Sequence, residues 1–90
     1  MDLNFTKQAV RQGGEKPLTA LKPGEAGVVK RLSTSDEASL KLMELGFGPG
    51  EVVTFLRATP LGGPIEVELM GYRLCIRRAE GDRIFVDPHP

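Results

Sequence analysis

The sequence predicts a mainly β domain, a small antiparallel barrel of about five strands with one inserted α-helix. Three observations carry that expectation. Ile65, Val67 and Leu69 alternate with Glu66 and Glu68, the period-two pattern of a strand with one buried face. Glycine and proline turns cut the chain into short segments, at Lys22-Pro23-Gly24, Gly48-Pro49-Gly50, Thr59 to Pro64, and Gly71. The stretch from Thr34 to Leu45 carries helical start and stop signals. Strands this short cannot cover both faces of a flat sheet. Curling into a barrel buries one face and is expected to remove exposed edges.

The elements follow in order. Residues 1–17 form a polar extension with a Gly13-Gly14 break, expected to be partly disordered. Its apolar residues are Leu3, Phe5, Ala9 and Val10. The folded unit is expected from Leu18 to Asp87. Pro23 pre-sets φ and Gly24 supplies a left-handed residue for the first turn. Ala26 to Leu32 reads as a strand with Ala26, Val28, Lys30 and Leu32 on one face, Val29 on the other, and Val28 among the inward residues. Thr34 and Glu37 match a capping box at the helix start, where Asp36 and Glu37 also suit the positive helix end. Ala38, Leu42 and Leu45 recur at helical spacing, and Leu40, Met43 and Phe47 widen that apolar side. Gly46 stands where a helix ends on a left-handed residue. Val53 and Phe55 alternate in a strand ending near Arg57. Gly71 turns the chain from the Ile65–Leu69 strand into Tyr72–Arg77, where Tyr72, Leu74 and Ile76 share a face. Ala79 to Arg83 reads as one helical turn, Ile84 to Val86 as a last short strand, and residues 88–90 as a tail.

Composition narrows the function classes. Ninety residues make one domain, able to bury roughly 60–65% of its unfolded surface. Twelve Lys and Arg balance twelve Asp and Glu, so the cationic surplus of a nucleic-acid binder is missing. One cysteine, Cys75, allows no internal disulfide and fits a reducing cytosol. No window has the length or apolarity of a membrane span, and the N-terminus lacks a signal-peptide core.

Four segments in order resemble the FeoA family of bacterial ferrous iron transport: Leu18 to Glu25, Leu42 to Gly50, Ala58 to Ile65, and Gly71 to Arg77. The second is the most specific, because helix, left-handed stop and turn come in a fixed order. The resemblance implies an SH3-like barrel, a cytoplasmic location, a family-level association with transition metals, and a role in ferrous iron uptake. It also implies a partner: FeoB, the membrane iron transporter whose cytosolic part is a GTPase. The same domain occurs at the end of iron-dependent transcriptional repressors. An alternative reading is therefore a regulatory SH3-like module acting with such a repressor as a separate chain.

The residues themselves favour binding over catalysis. A metal site needs several convergent ligands. The sole histidine, His89, sits in the tail beside Asp87, and Cys75 is expected to pack beneath the helix as a small hydrophobe. No metal site, cofactor or catalytic set is expected. Glu66 and Glu68 read as a solvated face. The Gly46-Phe47-Gly48-Pro49-Gly50 run lacks the Lys and Ser/Thr of a phosphate loop and follows a helix instead of preceding one. Three features remain as candidate partner contacts. Pro60, Leu61 and Pro64 form a stiff loop with a leucine near its tip, either a lid on the barrel end or a contact residue. Arg73 and Arg77 share the face opposite Tyr72, Leu74 and Ile76. They either pair with Glu66 and Glu68 across strands or meet an acidic partner; an arginine presented to a GTPase is the sharper form of the second reading. Leu42 and Met43 either pack in the core or line a groove between helix and barrel. Self-association through an open edge is left open.

Overall fold

The computed structural model describes residues 14–33 and 36–89. Their strands are β1 (Lys16–Pro17), β2 (Ala26–Leu32), β3 (Val52–Ala58), β4 (Ile65–Leu69), β5 (Tyr72–Ile76) and β6 (Ile84–His89). The helices are α1 (Asp36–Leu45) and the single turn α2 (Arg78–Gly81). All six strands join one antiparallel sheet in the order β1-β6-β2-β3-β4-β5. One cluster gathers buried side chains from β2, β3, β4, β5 and β6, with Leu18, Leu21, Leu42 and Phe47 added from the connections. A single core fed by five strands requires the sheet to curl over its own face. The fold is mainly β, as the alternation in β4 predicts. Among the described residues β1 and β5 do not pair, so the sheet keeps two edges that full closure would have removed.

The turns follow residue chemistry. Pro23 and Gly24 (φ +89°) form a turn closed by the Glu25 N–H donating to the Lys22 carbonyl at 2.9 Å. Pro49 and Gly50 (φ +95°) repeat the arrangement, with the Glu51 N–H donating to the Gly48 carbonyl at 3.2 Å. Pro then Gly with positive φ is the type II signature. Between β4 and β5, Met70 (φ +54°) and Gly71 (φ +86°) make a two-residue turn with both central residues left-handed, matching the twist of the flanking strands.

The end of α1 is a full Schellman motif. The Phe47 N–H donates to the Leu42 carbonyl at 3.1 Å and the Gly46 N–H to the Met43 carbonyl at 3.0 Å, with Gly46 at φ +112°. Phe47 and Leu42 are both buried, which supplies the hydrophobic contact that accompanies this motif. A Cβ on Gly46 would stand 2.9 Å from Met70 Sδ and 3.1 Å from Leu69 Cδ2. Gly46→Ala is therefore expected to lower stability by about 1–3 kcal/mol, read as a shifted urea midpoint with unchanged slope.

Five expectations are corrected. In β2 the inward residues are Gly27 and Val29, not Val28, which is half-buried. Only glycine fits at position 27, because a Cβ there would meet Val86 Cγ2 at 2.7 Å. A register shift then falls between Val29 and Arg31, and the extra residue Lys30 restores Leu32 to the core side. β6 does not stop at Val86: Asp87, Pro88 and His89 continue it, opposite Val28, Gly27 and Ala26. Pro88 is tolerated because β1 covers only Phe85 and Val86, leaving the far end of β6 an edge on that side. Lys16 and Pro17, read as extension, form β1. Among the described side chains of α1, only Leu42 is buried, while Leu40, Met43 and Leu45 are exposed. Cys75 is exposed, since β5 is an edge strand and Cys75 shares the outer face with its partner Glu66. The expectations for residues 1–13, the Thr34 cap and Pro90 lie outside the described residues, as does the His89 side chain.

Candidate docking surface

The loop joining β3 and β4 is a closed, apolar-tipped structure. The Thr59 N–H donates to the Pro64 carbonyl at 3.0 Å and ties its ends together. Between them Pro60–Gly62 make a tight kinked turn that is not regular helix. Leu61 sits there at φ +64° and ψ +33°, a left-handed conformation unusual for leucine. Its relative exposure is 104%, so it is a projecting knob and not a lid on the barrel. Pro60 and Pro64 flank it, both exposed.

Arg77 lies at the same end of the sheet. Ile65 pairs with Ile76, which places Pro64 and Arg77 at the next rung. α2 follows directly, with the Glu80 carboxylate accepting from the Arg77 N–H at 2.9 Å. Gly81 is pressed between β4 and the short helical turn Leu18–Ala20 that follows β1: a Cβ there would meet Ile65 Cδ1 at 2.8 Å and Thr19 Cγ2 at 2.9 Å. The loop, Arg77 and α2 thus adjoin one closely packed corner.

Arg73 is separate from this corner. It pairs with Glu68 in register, and its guanidinium reaches Glu66 at 3.9 Å. Glu66 is also held by Arg57 Nε at 2.7 Å, an interaction that the β3 register shift allows by setting Arg57 opposite Glu66. Arg73 thus stands within reach of a cross-strand carboxylate while its side chain stays largely exposed, whereas Arg77 makes no ion pair among the described residues. The arginine missed in the sequence is Arg57, because the register shift that brings it to Glu66 leaves no local pattern. The Arg57 side chain is mostly exposed, so Arg57→Ala is expected to cost only about 0.2–1 kcal/mol in a urea titration.

The helix contributes a groove of about 430 Å³ between α1 and α2, lined by Leu40, Leu42, Lys41, Glu44, Glu80 and Arg83 among others. Leu42 is chiefly a core residue at 3% exposure. Met43 is 49% exposed but does not line this groove. Among the described residues no three of His, Cys, Asp and Glu are grouped to share a metal ion. No described helix is long and apolar enough to cross a membrane.

The profile of the FeoA domain matches residues 16–88. The chain belongs to the FeoA family. It is 27% identical over 70 residues to an Fe(2+) transport protein A/Fe(2+) transporter FeoB fusion protein of Porphyromonas gingivalis, a match covering 78% of this FeoA chain but 8% of that relative. Among solved structures, an iron uptake regulatory protein (FeoA) superposes with a TM-score of 0.77 at 29% identity, covering 83% of this chain and 99% of that one. FeoA of Stenotrophomonas maltophilia, crystallised with zinc and described as a prokaryotic SH3 domain protein, gives 0.68 at 31% identity, covering 79% and 88%. A manganese-dependent transcriptional repressor gives 0.74 at 20% identity over 42% of its length, a likeness of fold alone. The domain is thus an SH3-like member of a family tied to ferrous iron transport.

Proposed function

We propose that this FeoA domain is a cytoplasmic accessory of ferrous iron uptake that docks on the GTPase domain of a FeoB-type transporter, without catalysing a reaction itself. Leu61 carries this reading. A fully exposed leucine, held in a costly backbone conformation by a proline-flanked loop, has no role in the core that would explain it. A preformed apolar knob loses little entropy when a partner pocket takes it up. Pro60 and Pro64 stiffen the knob, and Arg77 at the adjacent rung supplies a charge without an ion pair among the described residues. The joining of the two proteins in one polypeptide in Porphyromonas gingivalis supports the choice of partner. Leu42 acts as the core anchor of α1, and Met43 and Arg73 stand outside the contact.

Isothermal titration against the cytosolic GTPase domain, in GDP and GTP-analogue states, tests this. Saturable binding in at least one state is expected. No heat in either state, at low and physiological salt, would overturn it.

A further inference from the structure

The two edges of the sheet are built differently. β1 is two residues long and contains Pro17, which blunts it. β5 carries five residues with no Pro, Gly or Lys, and pairs with β4 over five consecutive rungs without a register shift. The β2–β6 and β3–β4 ladders each contain such a shift.

In a hairpin closed by a two-residue turn, the closing pair Leu69 and Tyr72 exchanges both hydrogen bonds. Alternation then directs the backbone groups of Tyr72, Leu74 and Ile76 toward β4. The N–H and C=O groups of Arg73 and Cys75 point away from the sheet. Arg77 ends this open stretch: its N–H donates to Glu80, and its carbonyl accepts from the Glu80 and Gly81 N–H groups at 2.9 and 3.0 Å.

The side chains define what fits. On the outer face charge alternates from strand to strand: Arg57 on β3 lies beside Glu66 on β4, and the β4 glutamates lie beside Arg73 on β5. One strand further, the complementary charge is negative. On the other face Tyr72, 60% exposed, and half-buried Leu74 present apolar surface. A second copy of this chain is a poor occupant. Antiparallel pairing centred on Cys75 sets Arg73 against Arg77, and pairing centred on Arg73 sets it against itself. Pairing centred on Leu74 crowds four arginines onto one face.

We propose that the β5 edge accepts an extended segment of a protein partner as an added strand, with acidic residues alternating with apolar ones. The acidic side chains face Arg73, and the apolar ones cover Leu74 and Tyr72. This site shares no residue with the Leu61 knob and goes beyond the docking reading above.

The test is an NMR titration of the ¹⁵N-labelled full chain with a short synthetic peptide alternating Glu and Val. Saturable shifts, with exchange of the Arg73 and Cys75 amides slowed about tenfold or more, are expected. The same peptide N-methylated at alternate amides, so that it cannot donate along one edge, is expected to bind at least about tenfold more weakly. Arg73→Glu is expected to weaken the Glu peptide about fivefold and favour a Lys-Val peptide. Leu61→Asn is expected to leave peptide affinity unchanged, which separates this result from the transporter experiment. Unchanged Arg73 and Cys75 exchange at saturation overturns the proposal, as does equal binding of the N-methylated peptide. Concentration-dependent protection of the same amides without peptide overturns it too, by assigning the edge to self-pairing.

Discussion

Phe47→Ala is expected to destabilise the domain by about 3–5 kcal/mol, measured as ΔG of unfolding from a denaturant titration. Phe47 has no exposed surface and is the bulkiest of the fully buried side chains. Its position is doubly determined. Its N–H closes the Schellman motif on the Leu42 carbonyl, and its ring enters the core shared by β2 to β6. Most other members of that core belong to strands held by ladder hydrogen bonds, which restricts collapse after truncation. A loss of this size is comparable with the whole stability of a domain this small. Leu40→Ala supplies the contrast. Leu40 is an exposed leucine of α1, and its truncation is expected to change stability by no more than about 0.5 kcal/mol.

Leu61→Asn is expected to separate stability from binding. Asparagine tolerates left-handed φ better than leucine does, and Leu61 buries nothing. Stability should hold or rise by up to about 1 kcal/mol. Affinity for the transporter's GTPase domain should fall by about 2 kcal/mol or more, roughly 30-fold, because an apolar anchor seated in a pocket carries a disproportionate share of binding energy. Paired denaturant and calorimetric titrations check the two halves. A variant equally stable and equally tight in binding would remove Leu61 from the interface.

Local chemistry in the sequence specifies much of this architecture. The β4 alternation, the Pro-Gly turns, the Gly46 stop and the Gly71 hairpin each depend on neighbours within a few residues, and each appears where that chemistry places it. What escapes a sequence reading depends on distant partners. The glycine at position 27 of β2 answers to Val86, whose side chain fills the space a Cβ there would need. The length of β6 is decided by Ala26, Gly27 and Val28 on β2, which override the turn tendency of Asp87-Pro88. On α1, helical spacing groups Leu42 with Leu40, Met43 and Leu45, but the curled sheet offers a full packing surface to Leu42 alone. In the candidate site, the stiffness of the 59–64 loop is legible from its prolines. The outward aim of Leu61 is not, because it follows from a left-handed φ that leucine does not advertise.

The most direct measurement is the methyl NMR spectrum of the selectively labelled domain as the cytosolic GTPase domain of a FeoB-type transporter is added. Docking through the knob predicts that the Leu61 methyls shift or broaden first and most, with core methyls such as those of Leu69 little changed. Unmoved Leu61 methyls beside a shifted Leu40, or no perturbation at saturating GTPase domain, would contradict it.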